Sequence, residues 1–175
     1  MSASRLLRLA LFALGYSALT TLCPAAEVDP DAAWKMLNAE RLGELRLELP
    51  EKDVLKLLGK PEKQSKVVLQ GADGMYVQTW SYPAKGLEFT MSAEKKAGPK
   101  TIATITAFPP CNFGTKKGIK IGSAEAEARK AYAAWADRES ASQKDTFVAG
   151  SVYGGIIFNF AKGKVSRIFF GAAAE

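Results

Sequence analysis

Residues 75–93, MYVQTWSYPAKGLEFTMSA, hold two runs rich in aromatic and β-branched side chains, joined by the turn former Pro83-Ala84-Lys85-Gly86. Side chains on a strand alternate between its two faces. Tyr76, Trp80 and Tyr82 therefore share one face, and the more polar set Val77, Thr79 and Ser81 shares the other. Two such runs across a tight turn make an antiparallel hairpin, and the pattern extends in both directions. Lys66–Gln70 precedes the hairpin across Gly-Ala-Asp-Gly, and Thr101–Phe108 follows it across a lysine-bearing loop. Four strands are predicted, Lys66–Gln70, Met75–Tyr82, Leu87–Ser92 and Thr101–Phe108, forming a meander.

Two helices precede the meander. Asp29 followed by Pro30 is an N-cap with proline at the first helical position, and Ala33, Trp34 and Leu37 follow at helical spacing, which predicts a helix from Pro30 to Arg41. Pro50 opens a second helix, with Glu51 and Asp53 in its first turn, Val54, Leu57 and Leu58 on one face, and Gly59 as the stop. After the meander, the segment PPCNFGTKKG, residues 109–118, is rich in turn formers and reads as a junction. Beyond it, Ser123 is expected to cap a helix with Ala128, Ala131, Tyr132 and Trp135 on one face. Strands Thr146–Tyr153, Ile156–Phe160 and Val165–Phe170 close the chain, and the class is α+β.

The two halves echo one another. Leu47-x-Leu49-Pro50-x-x-Asp53-Val54 matches Ile119-x-Ile121-Gly122-x-x-Glu125-Ala126 at an offset of 72. Gly86-Leu87-x-Phe89 matches Gly155-Ile156-x-Phe158 at 69, and Ile102-x-x-Ile105 matches Val165-x-x-Ile168 at 63. A period this long exceeds that of a solenoid unit and predicts tandem duplicated modules, each with a helix packed on an antiparallel meander. The expected division is a leader at 1–26, a first module at 27–110, a linker at 111–118 and a second module at 119–175.

The segments Leu47 to Pro61, Trp80 to Phe89 and Ile102 to Ile105, with their echoes, resemble the β-lactamase inhibitor protein fold and the related small lipoproteins of the outer-membrane barrel-assembly machinery. The resemblance covers most of the chain through degenerate motifs. It implies helices on one face of an antiparallel sheet, with the other face left for a protein partner. Two departures are visible: the inhibitor carries intramodule disulfides, and the lipoproteins a lipidated cysteine.

Arg5 and Arg8, an apolar run from Leu9 to Leu22, and the small residues Ala25 and Ala26 follow the pattern of a cleavable export signal. The run is too short and too polar for the roughly 20 residues of a spanning helix. Leu22 is bulky where a lipid-attachment motif before Cys23 needs a small residue, so a lipoprotein is the minor alternative. The expectation is a periplasmic or secreted protein. Losing Arg5 and Arg8 takes the 24 basic residues to 22 against 18 acidic, a net +4 that is far from a nucleic-acid-binding signature.

Histidine is absent throughout the sequence, which removes Ser-His-Asp and Cys-His catalysis and the commonest metal ligand. Asp53, Glu88 and Asp137 occur singly, so an enzyme is not expected, and neither is a cofactor or a metal. Cys111, the one cysteine beyond the leader, is a candidate thiol, with a small packed residue as the plainer reading. The strip Tyr76, Trp80 and Tyr82 is either core, the favoured reading, or an exposed aromatic binding strip. Lys95, Lys96, Lys116 and Lys117, with Lys100 and Lys120, form a candidate basic rim for an acidic partner or an anionic membrane surface. The expected function is binding of another protein. A small-ligand or lipid carrier with a cavity between sheet and helices is the alternative, and a carboxylate-based hydrolase the third reading.

Overall fold

The computed structural model describes residues 29–71, 73–138 and 143–173, so the expected leader, with Cys23, lies outside the described residues. Two helices come first, α1 (Pro30–Ala39) and α2 (Glu51–Leu58). Strands β1 (Lys63–Gln64), β2 (Val68–Leu69), β3 (Tyr76–Tyr82), β4 (Leu87–Ala93) and β5 (Thr101–Ala107) follow. The second half holds α3 (Glu125–Ala131), β6 (Thr146–Ser151), β7 (Gly154–Ala161) and β8 (Lys164–Gly171). The class is α+β. All eight strands belong to one antiparallel sheet, ordered β1-β3-β4-β5-β8-β7-β6, with β2 also paired to β3. The last strands of the two halves, β5 and β8, meet at the centre through Ile105↔Phe170, Thr106↔Phe169 and Ala107↔Ile168.

Local chemistry accounts for the elements. The Asp29 carboxylate accepts from the Asp31 N–H at 3.1 Å and starts α1. Val54, the inward residue of α2, is fully buried, and the Gly59 N–H closes that helix on the Leu55 carbonyl. The alternation predicted along the strands holds: Trp80, Tyr82, Leu87, Phe89 and Met91 are buried on one face. Ile105 on β5, and Ile156, Phe158, Ile168 and Phe170 in the second half, continue that apolar layer across the sheet. Gly86, at φ +63°, turns the chain from β3 into β4 beneath Phe108 and Cys111.

Three expectations are corrected. Lys66–Gln70 is not a continuous strand: within it only Val68–Leu69, β2, pairs with β3 as a strand, and the neighbouring piece β1 pairs before it at Lys63–Gln64, on a sheet edge where Val68 and Leu69 are exposed. Ser123 does not cap α3. Its hydroxyl accepts from the Lys120 N–H and closes a turn, and the helix begins one residue later, where the Glu127 carboxylate accepts from the Ala124 N–H. The helix is also short, running only to Ala131 before a 3-10 turn at Ala133–Trp135.

The third correction concerns the offset of 72. Glu48 N–H donates to the Ile102 carbonyl and Ile102 N–H to the Leu49 carbonyl; Gly122 N–H donates to Val165 and Val165 N–H to Ser123. Glu51 N–H donates to Lys100, and Glu125 N–H to Gly163. The bridge Pro50↔Thr101 likewise corresponds to Ala124↔Lys164. These pairs align the helix-entry segments at 74, not 72, and the strands β5 and β8 at 63. Glu48 and Gly122, related at 74, both have positive φ. A two-residue slip is the error that alternation invites, because a period of two looks the same after it.

The expected 69 and 63 offsets coincide with the sheet register. Phe89↔Ile105 corresponds to Phe158↔Ile168, and the register shift between Thr90 and Met91 corresponds to that between Asn159 and Phe160.

A cleft on the uncovered sheet face

The face opposite the core is lined by Thr90 and Ser92 on β4, Thr104 on β5, Ile157 on β7, and Arg167 and the largely buried Phe169 on β8. Because β5 pairs with β8, side chains more than 60 positions apart in sequence become neighbours across the central seam. They line a cleft of about 650 Å³. One end is closed by Trp34, whose indole lies against the backbone of Gly154; a Cβ there would sit 2.6 Å from the ring. The other end is formed by the turn before β3, with Met75 and Asp73.

The floor mixes polar and apolar groups, Thr90, Ser92, Thr104 and Arg167 beside Ile157 and Phe169, and the end opposite Trp34 carries Asp73 beside Met75. Thr104 and Thr90 hydroxyls are hydrogen-bonded at 2.9 Å across the β4–β5 pair. The Arg167 guanidinium stands 5.5 Å from the centroid of the Phe169 ring. The cleft thus offers hydroxyl groups, one guanidinium fork and flat apolar surface on a floor held by strand pairing.

The residues singled out from the sequence fall elsewhere. Trp80 and Tyr82 are 3% and 1% exposed and belong to the core, so neither presents a binding strip. Trp80 Nε1 donates to Gln78 Oε1, and the Tyr82 hydroxyl donates to the Gly59 carbonyl at 3.0 Å. Burial pushes the Tyr82 hydroxyl up to about 12. Tyr76, at the start of β3, is half-buried. Cys111 is a buried free thiol, and burial raises its pKa while a backbone hydrogen bond at Phe113 opposes the shift.

The lysines do not form one rim. Lys95 and Lys96 are exposed in the turn joining β4 to β5, at one end of β5. Lys116 and Lys117 lie in the linker that leaves β5 from its other end, and their ammonium groups are bound to helix carbonyls: Lys116 to Ala39, Lys117 to Ala131, each at 2.7 Å. Those carbonyls end α1 and α3, where cations offset the negative pole of the helix dipole.

Among the described residues no group of three or more potential metal-ligating side chains converges, and no helix is long and apolar enough to cross a membrane. Trp34, Arg167 and Phe169 were not identifiable as site residues from sequence. Trp34 read as part of an apolar helix stripe, and the other two needed the β5–β8 pairing. No protein-family model, curated protein or solved structure matches this chain.

Proposed function

We propose that this is an exported, non-enzymatic protein that binds another protein through the uncovered face of its sheet. The observation that carries the reading is the cleft of about 650 Å³ across the β5–β8 seam, which draws hydroxyl, guanidinium and aromatic groups from both halves. Export rests on the leader pattern before Glu27.

The halves are tandem copies of one αβ module in this reading. The matching hydrogen bonds that lead into α2 and α3 support it, as do the register shifts at corresponding positions of β4–β5 and β7–β8. Chance similarity between two meanders does not require an irregularity to recur at the same place. A duplicated module with helices on one face and an open sheet on the other agrees with the resemblance to the β-lactamase inhibitor fold, whose partner-binding role is carried over here as a proposal.

Tagged protein is recovered from its own cell envelope and medium, and bound proteins are identified. Arg167→Glu and Ser92→Arg, both on the cleft, are expected to lower recovery of a stoichiometric partner at least about tenfold, the equivalent of about 1.4 kcal/mol, without moving the melting temperature. Lys95→Ala with Lys96→Ala leaves recovery unchanged. A partner retained in full by both cleft variants would sink the assignment of the face.

A further inference from the structure

A second concavity lies away from the sheet cleft, between α1 and the linker. Helix α1 buries Ala33 and Leu37, while Ala32, Lys35, Met36 and Ala39, at helical spacing, form a second stripe in which Lys35 and Ala39 are exposed and Ala32 and Met36 half-buried, Met36 resting against the core. That stripe is one wall of a groove of about 640 Å³, and Trp135 with the linker lysines forms the other. The volume falls within the roughly 300–1,000 Å³ of small-ligand sites.

The groove is lined by carbon, with ammonium groups as its available charges. Lys116 uses one N–H on the Ala39 carbonyl, which leaves two donors, while the Lys117 ammonium donates to the Ala131 carbonyl and stands 5.0 Å from the Tyr132 ring centroid, with N–H groups to spare beyond that carbonyl. Glu40 also borders the groove, but it is buried and its oxygens accept from Arg41 N–H, Lys116 N–H and the Tyr132 hydroxyl. The charge offered to a newcomer is therefore positive, from Lys35, Lys116 and Lys117, beside an apolar trough of Ala32, Met36 and Trp135.

We infer that this groove binds a free alkyl carboxylate, with the chain lying along Met36 and Trp135 and the carboxylate against the lysine ammonium groups. The site is independent of the sheet cleft and stands or falls without it. An anionic head complements the lysines, and each methylene removed from water tightens binding about fourfold until the trough is full.

The test titrates the purified protein with octanoate, decanoate and dodecanoate, below micelle-forming concentrations and at low salt, following tryptophan fluorescence and calorimetry. Alkyltrimethylammonium ions of equal length are the control. The expected result is saturable binding that tightens about fifteenfold per two-carbon step, weakens with added salt, and is at least about tenfold poorer for the cations. Lys35→Glu lowers affinity about tenfold, and Ala32→Phe, which fills the trough and keeps every charge, lowers it further. Trp135→Phe removes the fluorescence change while the calorimetric signal persists. Equal binding of cations and carboxylates, or affinity independent of chain length, overturns the inference, and neither comparison depends on a variant that has to fold. Saturation by an acidic amphipathic peptide with no binding of any carboxylate also overturns it.

Discussion

The Tyr132 hydroxyl donates to Glu40 Oε2 at 2.8 Å, joining residues 92 positions apart in a fully buried contact. The other carboxylate oxygen, Oε1, accepts from the backbone N–H groups of Arg41 at 3.0 Å and Lys116 at 2.8 Å. One side chain thus ties the end of α1, the linker and the end of α3 together. Tyr132→Phe removes one of three donors from a buried anion and is expected to destabilise the protein by about 1–3 kcal/mol. Urea unfolding monitored by circular dichroism measures the loss, and a change within error would mean that water replaces the hydroxyl.

Alkaline stability should depend on the buried phenols. The folded state raises Tyr82 from 10.0 to about 12 and raises Tyr132 as well, in both cases mainly by desolvation. Above pH 10 the unfolded chain loses these protons before the folded one does, so the unfolded state binds fewer protons and stability falls as pH rises. The stabilising contribution is complete below pH 10 and is lost through about pH 12 for Tyr82. Denaturant midpoints between pH 9 and pH 12 should fall with a shallower slope in Tyr82→Phe than in the parent.

A methyl group at Gly86 would run into the Phe108 carbonyl oxygen and the Cys111 N–H, and the position has φ +63°. Gly163 shares a positive φ of +71° but faces open space. Gly163→Ala should cost about 1–2 kcal/mol from backbone strain alone. Gly86→Ala should cost clearly more, because backbone atoms must move as well. Comparable losses for the two would show that the Phe108 turn yields freely.

Trp80→Ala should destabilise by about 3–5 kcal/mol, as expected for an aromatic truncated in a packed core. Arg167→Ala, on the open face, should stay within about 0.5 kcal/mol. Thermal unfolding of the two variants side by side distinguishes packing from surface. A small loss at Trp80 would return that ring to the list of surface groups.

The Cys111 thiol is buried and its pKa is raised, which depresses the reactive thiolate. Thiol-reagent labelling at pH 8 should be slow in native protein and complete within minutes in denaturant. Rapid native labelling would mean that the linker opens readily.

Much of the framework was legible in the residues. Asp29-Pro30, Pro50 and Gly59 mark helix ends through capping chemistry that is local, and the alternation in residues 75–93 separates core from open face. What was missed depends on contacts distant in sequence. Lys66–Gln70 has strand composition, yet it sits on an edge where pairing breaks into two fragments. Ser123 has a capping hydroxyl, but the nearby Lys120 N–H takes it. Arg167 and Phe169 acquire their place beside Thr104 from the pairing of β5 with β8, which no local pattern announces. Lys116 and Lys117 read as part of a basic rim because the carbonyls that hold them come from Ala39 and Ala131, far off in sequence.

The central position of β8 makes the sheet sensitive to incomplete synthesis. A chain interrupted before Lys164 can still form the β3–β4–β5 meander, but β5, with its buried Ile102 and Ile105, is left as an open edge. Such an edge presents unpaired N–H and C=O groups to any similar strand. Truncated products would therefore pair with one another and aggregate, so β8 also serves as the cover that keeps the β5 edge from other chains.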